Sequence, residues 1–546
     1  MDIITISHDG GNATPRIVDA VSRLRSATAA QIQFEPGVYQ LSPDGACRCS
    51  DIGAGYVMDS VKDVLFNLED LEDVTIDGNG AELSFTDRMF PFHLHNCRNI
   101  TLKNFTIDFS CSMFTQGTVA ASDESGFELA IDRSLFKYRV DSEGHIIFRC
   151  GRQEFSSADP VAILLGNEEC GLPPWDYIFA GSTQADMTHL PVGYLLTDAV
   201  ETADGVRFNY RPESRRLTFP AGQVLFFNYM PRQNVNIMIN SCRDIRVENV
   251  KIYRGGGMGI VAELSENLSY EHVQIMPRPG RQECKSTTAD GMFFTQCSGL
   301  VSIRNCRVSR TLDDALNFHG IYTRVAAADG NAIRVEACVP WHRGILPYRP
   351  GDRLRISDPE TQRLKAHATV LDAKMSPDGS IAITLEGAAD GVKAADLVEN
   401  SSRRADFLFE GNNFDRFPHL RISGNGKIII RDNRFEKIEC LYFCDLLQFW
   451  FESGVVRDLL VEGNEFVDCP WNGDSQYAVT VESTRKDSTD VRNRGIVIRN
   501  NRFIGGDGKA IRVQLADGVE IRGNHYHLKD GISPVEICDC TGVTRD

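Results

Sequence analysis

Ile100-Thr101-Leu102-Lys103-Asn104-Phe105-Thr106-Ile107 alternates apolar and polar residues, breaks at an Asn, and resumes. The same frame returns as Ile245-Arg246-Val247-Glu248-Asn249-Val250-Lys251-Ile252, and again from Leu268 and from Val301. Toward the C-terminus it recurs from Ile428, Leu459, Ile496 and Val519, and a weaker first copy starts at Val74. Alternation is strand periodicity, and the central Asn or Gly-Asn is turn chemistry. The shortest period is 23 residues, from Ile245 to Leu268 and from Ile496 to Val519. A unit that short cannot bury its own apolar face, so it must stack on its neighbours. The expected fold is all-β: a right-handed parallel β-helix. No leucine-rich-repeat signature is present, and alternation excludes helical repeats.

Two gaps interrupt the array, 145 residues from Ile100 to Ile245 and 127 from Val301 to Ile428. Both exceed any ordinary loop and contain strand-like runs of their own. The expected division is therefore 1–109, N-terminal coils with a cap; 110–233, an inserted β-domain; 234–321, central coils; 322–405, a second inserted β-domain; and 406–546, C-terminal coils. Both inserts are expected to be small and barrel-like. The amphipathic stretch 14–26 is the expected cap over the first coil, where an open edge would invite aggregation.

Composition is that of a globular chain, 42% apolar and 24% charged, and the net charge of −17 argues against a nucleic-acid surface. No apolar run is long enough for a membrane helix, so no membrane insertion is expected. No signal-peptide pattern opens the chain, which implies a cytoplasmic protein, or a periplasmic or secreted one whose signal was removed. The sixteen cysteines show no zinc-type CxxC pairing. Cys97, Cys242, Cys297, Cys306 and Cys469 recur in or beside the repeat strands and read as small buried hydrophobes rather than disulfides.

The chemistry concentrates in Thr311-Leu312-Asp313-Asp314-Ala315-Leu316-Asn317-Phe318-His319-Gly320. Ala289-Asp290-Gly291-Met292-Phe293-Phe294 lies 24 residues upstream in the same frame, so Asp290 aligns with Asp314. Stacked coils are about 4.8 Å apart. Asp290 and Asp314 should therefore neighbour each other, while Asp313 must point elsewhere. Two stacked carboxylates repel, and share a proton or hold a water between them. A separate acid beside them completes equipment for acid/base hydrolysis. The competing reading, an Asp ladder binding Ca²⁺, lacks a DxDxDG loop. In the same alignment Gly256 falls under Asp290 as an open floor, with Arg254 at its edge to bind a hydroxyl or carboxylate.

Asn317 and His319 follow the acids closely enough to touch a ligand. Glu263 and Glu482 follow apolar runs and are candidates for hydroxyl binding. Trp341 and Trp471 are candidates for stacking on a ligand's ring face, or for packing alone. His93 and His95 alternate on one strand but lack a third metal ligand, so no metal or other cofactor is expected. The run Gly255–Gly257 lacks the Lys-Ser/Thr of a phosphate loop.

These motifs resemble two glycoside hydrolase families. Thr288-Ala289-Asp290-Gly291 and Leu312-Asp313-Asp314 are similar to the first two motifs of the family 28 polygalacturonases, whose separate Gly-His-Gly and Arg-Ile-Lys motifs are missing. The Asp-Gly, then Leu-Asp-Asp…Asn-x-His-Gly order, together with both insertions, resembles family 110, the exo-acting α-1,3-galactosidases. That resemblance spans nearly the whole chain. It implies release of terminal α-1,3-linked galactose from an oligosaccharide or glycoconjugate with inversion, with Asp313 as general acid and Asp290 with Asp314 positioning the water. Inserted barrels often mediate subunit contacts, which would make a homodimer. Alternatives are a polygalacturonase-like hydrolase, a polysaccharide lyase on the same scaffold, and a non-catalytic glycan-binding β-helix.

Overall fold

The computed structural model describes all residues except 1, 26–29, 51, 54–60, 159–163, 168–195, 213–217, 230, 231, 233, 425, 446, 448, 472–475 and 484–492. The chain is mostly β, and its main body is a parallel β-helix whose coils hydrogen-bond through three ladders. The first ladder keeps the register of the sequence repeat. Ala30 pairs with Val74, Val74 with Ile100, Ile100 with Ile245, Ile245 with Leu268 and Leu268 with Val301. It continues through Phe407 to Ile428, Leu459, Ile496, Val519 and Val543. The strand Ala405–Glu410 is a coil that repeat reading left unplaced between Val301 and Ile428.

Every repeat residue just named points into one continuous apolar core apart from Val543 at the exposed end, and Ile100, Val301, Ile428 and Ile496 are fully buried. The turn from the first ladder to the second carries a buried asparagine on successive C-terminal coils. Backbone N–H groups of Asn412, Asn433, Asn464 and Asn501 donate to the side-chain oxygens of Asn433, Asn464, Asn501 and Asn524 at 2.8–3.0 Å. Each preceding residue, for example Asp432 (φ 57°) or Gly463 (φ 68°), adopts the left-handed conformation that Gly, Asn and Asp tolerate best. Below the turn, Phe435, Phe466 and Phe503 stack with centroids 5.0 and 4.8 Å apart. Among the described residues the cysteines are free, and Cys97, Cys242, Cys297, Cys306 and Cys469 are buried.

The helix Thr14–Leu24 lays Ile17, Ala20, Val21 and Leu24 on the first-coil end of this core. Within 110–233 the strands Phe114–Asp123, Gly126–Ala130, Gly205–Tyr210, Leu196–Glu201, Val224–Asn228 and Leu164–Asn167 form one antiparallel sheet. Within 322–405, antiparallel pairings run in a ring. Leu316–Asp329 pairs with Ala332–Ala337, then Ile381–Leu385, Leu364–Met375, Arg353–Ser357 and Leu397–Asn400, which pairs back to the first. No helix among the described residues is long and apolar enough to cross a membrane.

Candidate active site

The third ladder positions the site. Met292 pairs with Leu316 and Phe294 with Phe318, and the Gly291 amide donates to the Asp314 carbonyl at 2.9 Å. Asp290 and Asp314 therefore sit on adjacent coils, with inward apolar neighbours fixing both. On the coil below, Gly255 bridges Thr287 and Ile260 pairs with Met292, so Met258 rather than Gly256 lies level with Asp290. The coil above follows the second insertion: Leu316 pairs with Leu420 and Asn317 with Arg421.

Adjacent residues 313 and 314 diverge as strand geometry demands. Asp314 is buried; Arg421 Nε lies 3.0 Å from its Oδ2 and His419 Nδ1 3.3 Å from its Oδ1. The Asp313 side chain is 36% exposed and is held by Arg232 Nη2 at 2.7 Å. That same nitrogen is 3.8 Å from Asp290 Oδ1, so these two carboxylate oxygens are no further apart than the sum of the two distances.

Asp290 is 2% exposed, and its Oδ1 accepts no hydrogen bond. Burial, then the Asp313 charge, drive its pKa well above the carboxylate range; Arg232 opposes this, while Asp314 and Glu452 add to it. His419 goes the other way. Burial alone would favour the neutral ring, but Glu439, 3.4 Å from Nε2, overrides it, and with help from Asp314 the imidazole is pushed up to about 9. The patch thus holds a carboxyl disposed to keep a proton, a carboxylate pinned between two cations, and a third on the rim beside Arg232. Such a set can donate a proton, accept one and hold a water between them.

The other expected residues separate into two groups. Asn317 and His319 join the patch: Asn317 Nδ2 donates to Glu452 Oε1 at 3.2 Å, and His319 Nδ1 donates to the Gly320 carbonyl at 2.7 Å. Trp341 packs against Phe449 and Trp450, both at 5.3 Å between centroids. Arg254 is not at the edge of a floor. It is buried, its Nη2 lies 2.6 Å from Glu283, and it donates to the Phe109 carbonyl, so its charge is spent inside the protein. Glu263 is buried and accepts from Asn240 at 3.0 Å. Trp471 lies under Lys437, 5.6 Å from the ring centroid, and Glu482 accepts from the Tyr442 hydroxyl. His93 is buried with Nδ1 2.8 Å from Asn67 Oδ1, and His95 is exposed. Arg232, His419, Arg421, Glu439 and Glu452 were not legible as site residues. The readable signal was Phe407-Leu408-Phe409, whose alternation marks the missing coil that carries His419 and Arg421.

No family model matches the chain. The fold and site define a β-helical protein with three carboxylates gathered on two adjacent coils. Proteins of related sequence carry the name alpha-1,3-galactosidase. The chain is 28% identical over 559 residues to alpha-1,3-galactosidase B of Bacteroides thetaiotaomicron, covering 98% of this chain and 88% of that one. It is 25% identical over 533 residues to alpha-1,3-galactosidase A of Shewanella woodyi, covering 95% and 83%. Among solved structures, a polygalacturonase from Erwinia carotovora aligns with 99% of this chain and 94% of its own at 10% identity and a TM-score of 0.36.

Proposed function

We propose that the protein is an exo-acting glycoside hydrolase that releases terminal α-1,3-linked galactose from glycans with inversion of configuration. The observation that carries this reading is the cluster of Asp290, Asp313 and Asp314 on two adjacent coils, with Asp290 Oδ1 buried and unbonded. The galactosidase names of the related proteins supply the sugar. In this reading Asp313, on the accessible rim, protonates the leaving oxygen. Asp290 and Asp314 hold and deprotonate the attacking water. Arg232 holds Asp290 Oδ1 and Asp313 Oδ2 no further apart than the lower edge of the roughly 6.5–9.5 Å that inversion uses, so inversion rests on which anomer appears first and not on this spacing. The raised pKa of Asp290 favours a second assignment, in which Asp290 carries the proton and Asp313 faces the water.

Two architectural readings accompany this. The β-helix is right-handed, as parallel crossovers almost always are. The segments 110–233 and 322–405 are inserted domains, the second barrel-like, supported by its ring of antiparallel pairings.

Incubation with α-1,3-galactobiose is expected to yield free galactose, with the β-anomer appearing first by NMR. Asp313→Asn should lower turnover by about 10²–10⁴-fold, and by less on an aryl galactoside whose leaving group needs no proton. If Asp290→Asn is the variant spared on the aryl substrate, the two roles exchange. First appearance of the α-anomer would refute inversion, and absence of galactose would refute the substrate.

A further inference from the structure

The segment Phe449–Ser453 crosses the site as a strap. Ser453 and Glu452 pair antiparallel with Gly320 and Ile321, and the Tyr322 amide donates to the Phe451 carbonyl at 3.0 Å. The approach is close: a Cβ on Gly320 would sit 2.5 Å from Ser453 Oγ and 3.3 Å from the Ser453 carbonyl oxygen, so a larger residue there would press on the strap. Phe449 (φ 66°) and Phe451 (φ 52°) are both left-handed, a strained state for bulky residues that persists only where surroundings fix it. Between them Trp450 stays half-buried, edge-on to Phe449 at 4.8 Å and against Trp341. The Arg232 guanidinium that binds Asp313 lies 5.9 Å from the Trp450 ring centroid. Trp450 is therefore one side chain away from the rim carboxylate.

The next residue reaches the other side of the patch. Glu452 is 4% exposed; its Oε1 accepts from Asn317 and is 3.6 Å from His319 Nε2. Asn317 Oδ1 and His319 Nε2 are themselves without a hydrogen bond, although Asn317 is 6% and His319 2% exposed. Buried polar atoms are normally satisfied, so a carboxylate, an amide oxygen and a ring nitrogen gathered with two of them short of a hydrogen bond are shaped for a ligand's hydroxyls. Galactose offers the matching surfaces. Its axial 4-hydroxyl stands on one side of the ring and leaves the opposite side a flat row of C–H groups, which aromatic rings cover.

We propose that the strap Phe449–Ser453 builds the pocket for the terminal sugar, with Trp450 against its apolar face and Glu452, Asn317 and His319 taking its ring hydroxyls. The inference rests on the hydrolase reading above and adds the residues that select the sugar. A site built to bond a hydroxyl discriminates strongly against an analogue lacking it, because its own groups are then left unpaired.

The test uses the full chain and four monodeoxy galactosides, lacking the 2-, 3-, 4- or 6-hydroxyl, beside the parent. Glu452→Gln is expected to lower kcat/KM on the parent about tenfold or more. At least one deoxy substrate should lose that sensitivity, because the hydroxyl Glu452 reads is already gone. Trp450→Ala should raise KM on every galactoside, and Trp450→Phe should recover most of the loss. The strap pocket is overturned if Glu452→Gln leaves kcat/KM unchanged, or if all four deoxy substrates stay as sensitive as the parent. Should Glu452→Gln fail to fold, an unchanged KM in Trp450→Ala overturns it instead. A wild-type protein that releases no galactose overturns the hydrolase reading, which separates that failure from failure of the pocket.

Discussion

Asp290 shows how much of the site is set by position rather than by residue type. Buried against other carboxylates and with one oxygen unbonded, it opposes stability at neutral pH, as groups retained for chemistry often do. His419 compensates in part. Its folded pKa of about 9 exceeds the ordinary value near 6.5, so its contribution is fully present below about pH 6.5 and disappears as pH rises through 9. Urea denaturation of the wild type should therefore show a loss of up to about 3 kcal/mol across that window. His419→Gln should flatten that slope relative to the wild type; an identical pH profile would rule the ion pair out as a cause. The stacking of Asp290 on Asp314 was legible because both lie in unbroken repeat frame. Arg232, His419 and Glu452 were not, because each arrives from chain that re-enters the site after an interruption or along a strap, where period carries no information.

At the level of elements, the asparagine turns act as a second spine beside the apolar core. Asn464 accepts through Oδ1 from Asn433 and donates to the Asn501 oxygen and to the Ile430 carbonyl. Replacing it by Ala strands donors on one side and acceptors on the other in a buried turn. The expected cost is about 3 kcal/mol by denaturant titration. Asn524→Ala, at the half-buried end of the ladder, should cost markedly less. Equal costs would mean that the rungs act independently of their neighbours. This spine was readable in outline from the Gly-Asn, Asp-Asn and Asn-Asn pairs of the repeat, though its bonding was not, since the pattern fixes a turn and not which coil's side chain fills it.

Across the whole molecule, contacts between coils are nearest-neighbour, as in any solenoid. Destabilisation should stay local: hydrogen exchange in Asn464→Ala should speed up in the strands Arg457–Glu462 and Asn493–Arg499 while Gly257–Glu263 and Met292–Thr295 keep wild-type protection. Uniform loss of protection would show that the array unfolds as one unit. Ala315 donates to the carbonyl of His419, 104 positions further along the chain, as if the two were consecutive rungs. Because the ladder and not the connecting chain fixes their spacing, that corner tolerates splicing. Chain spliced in there would reshape the rim while the ladder keeps the set of carboxylates in place.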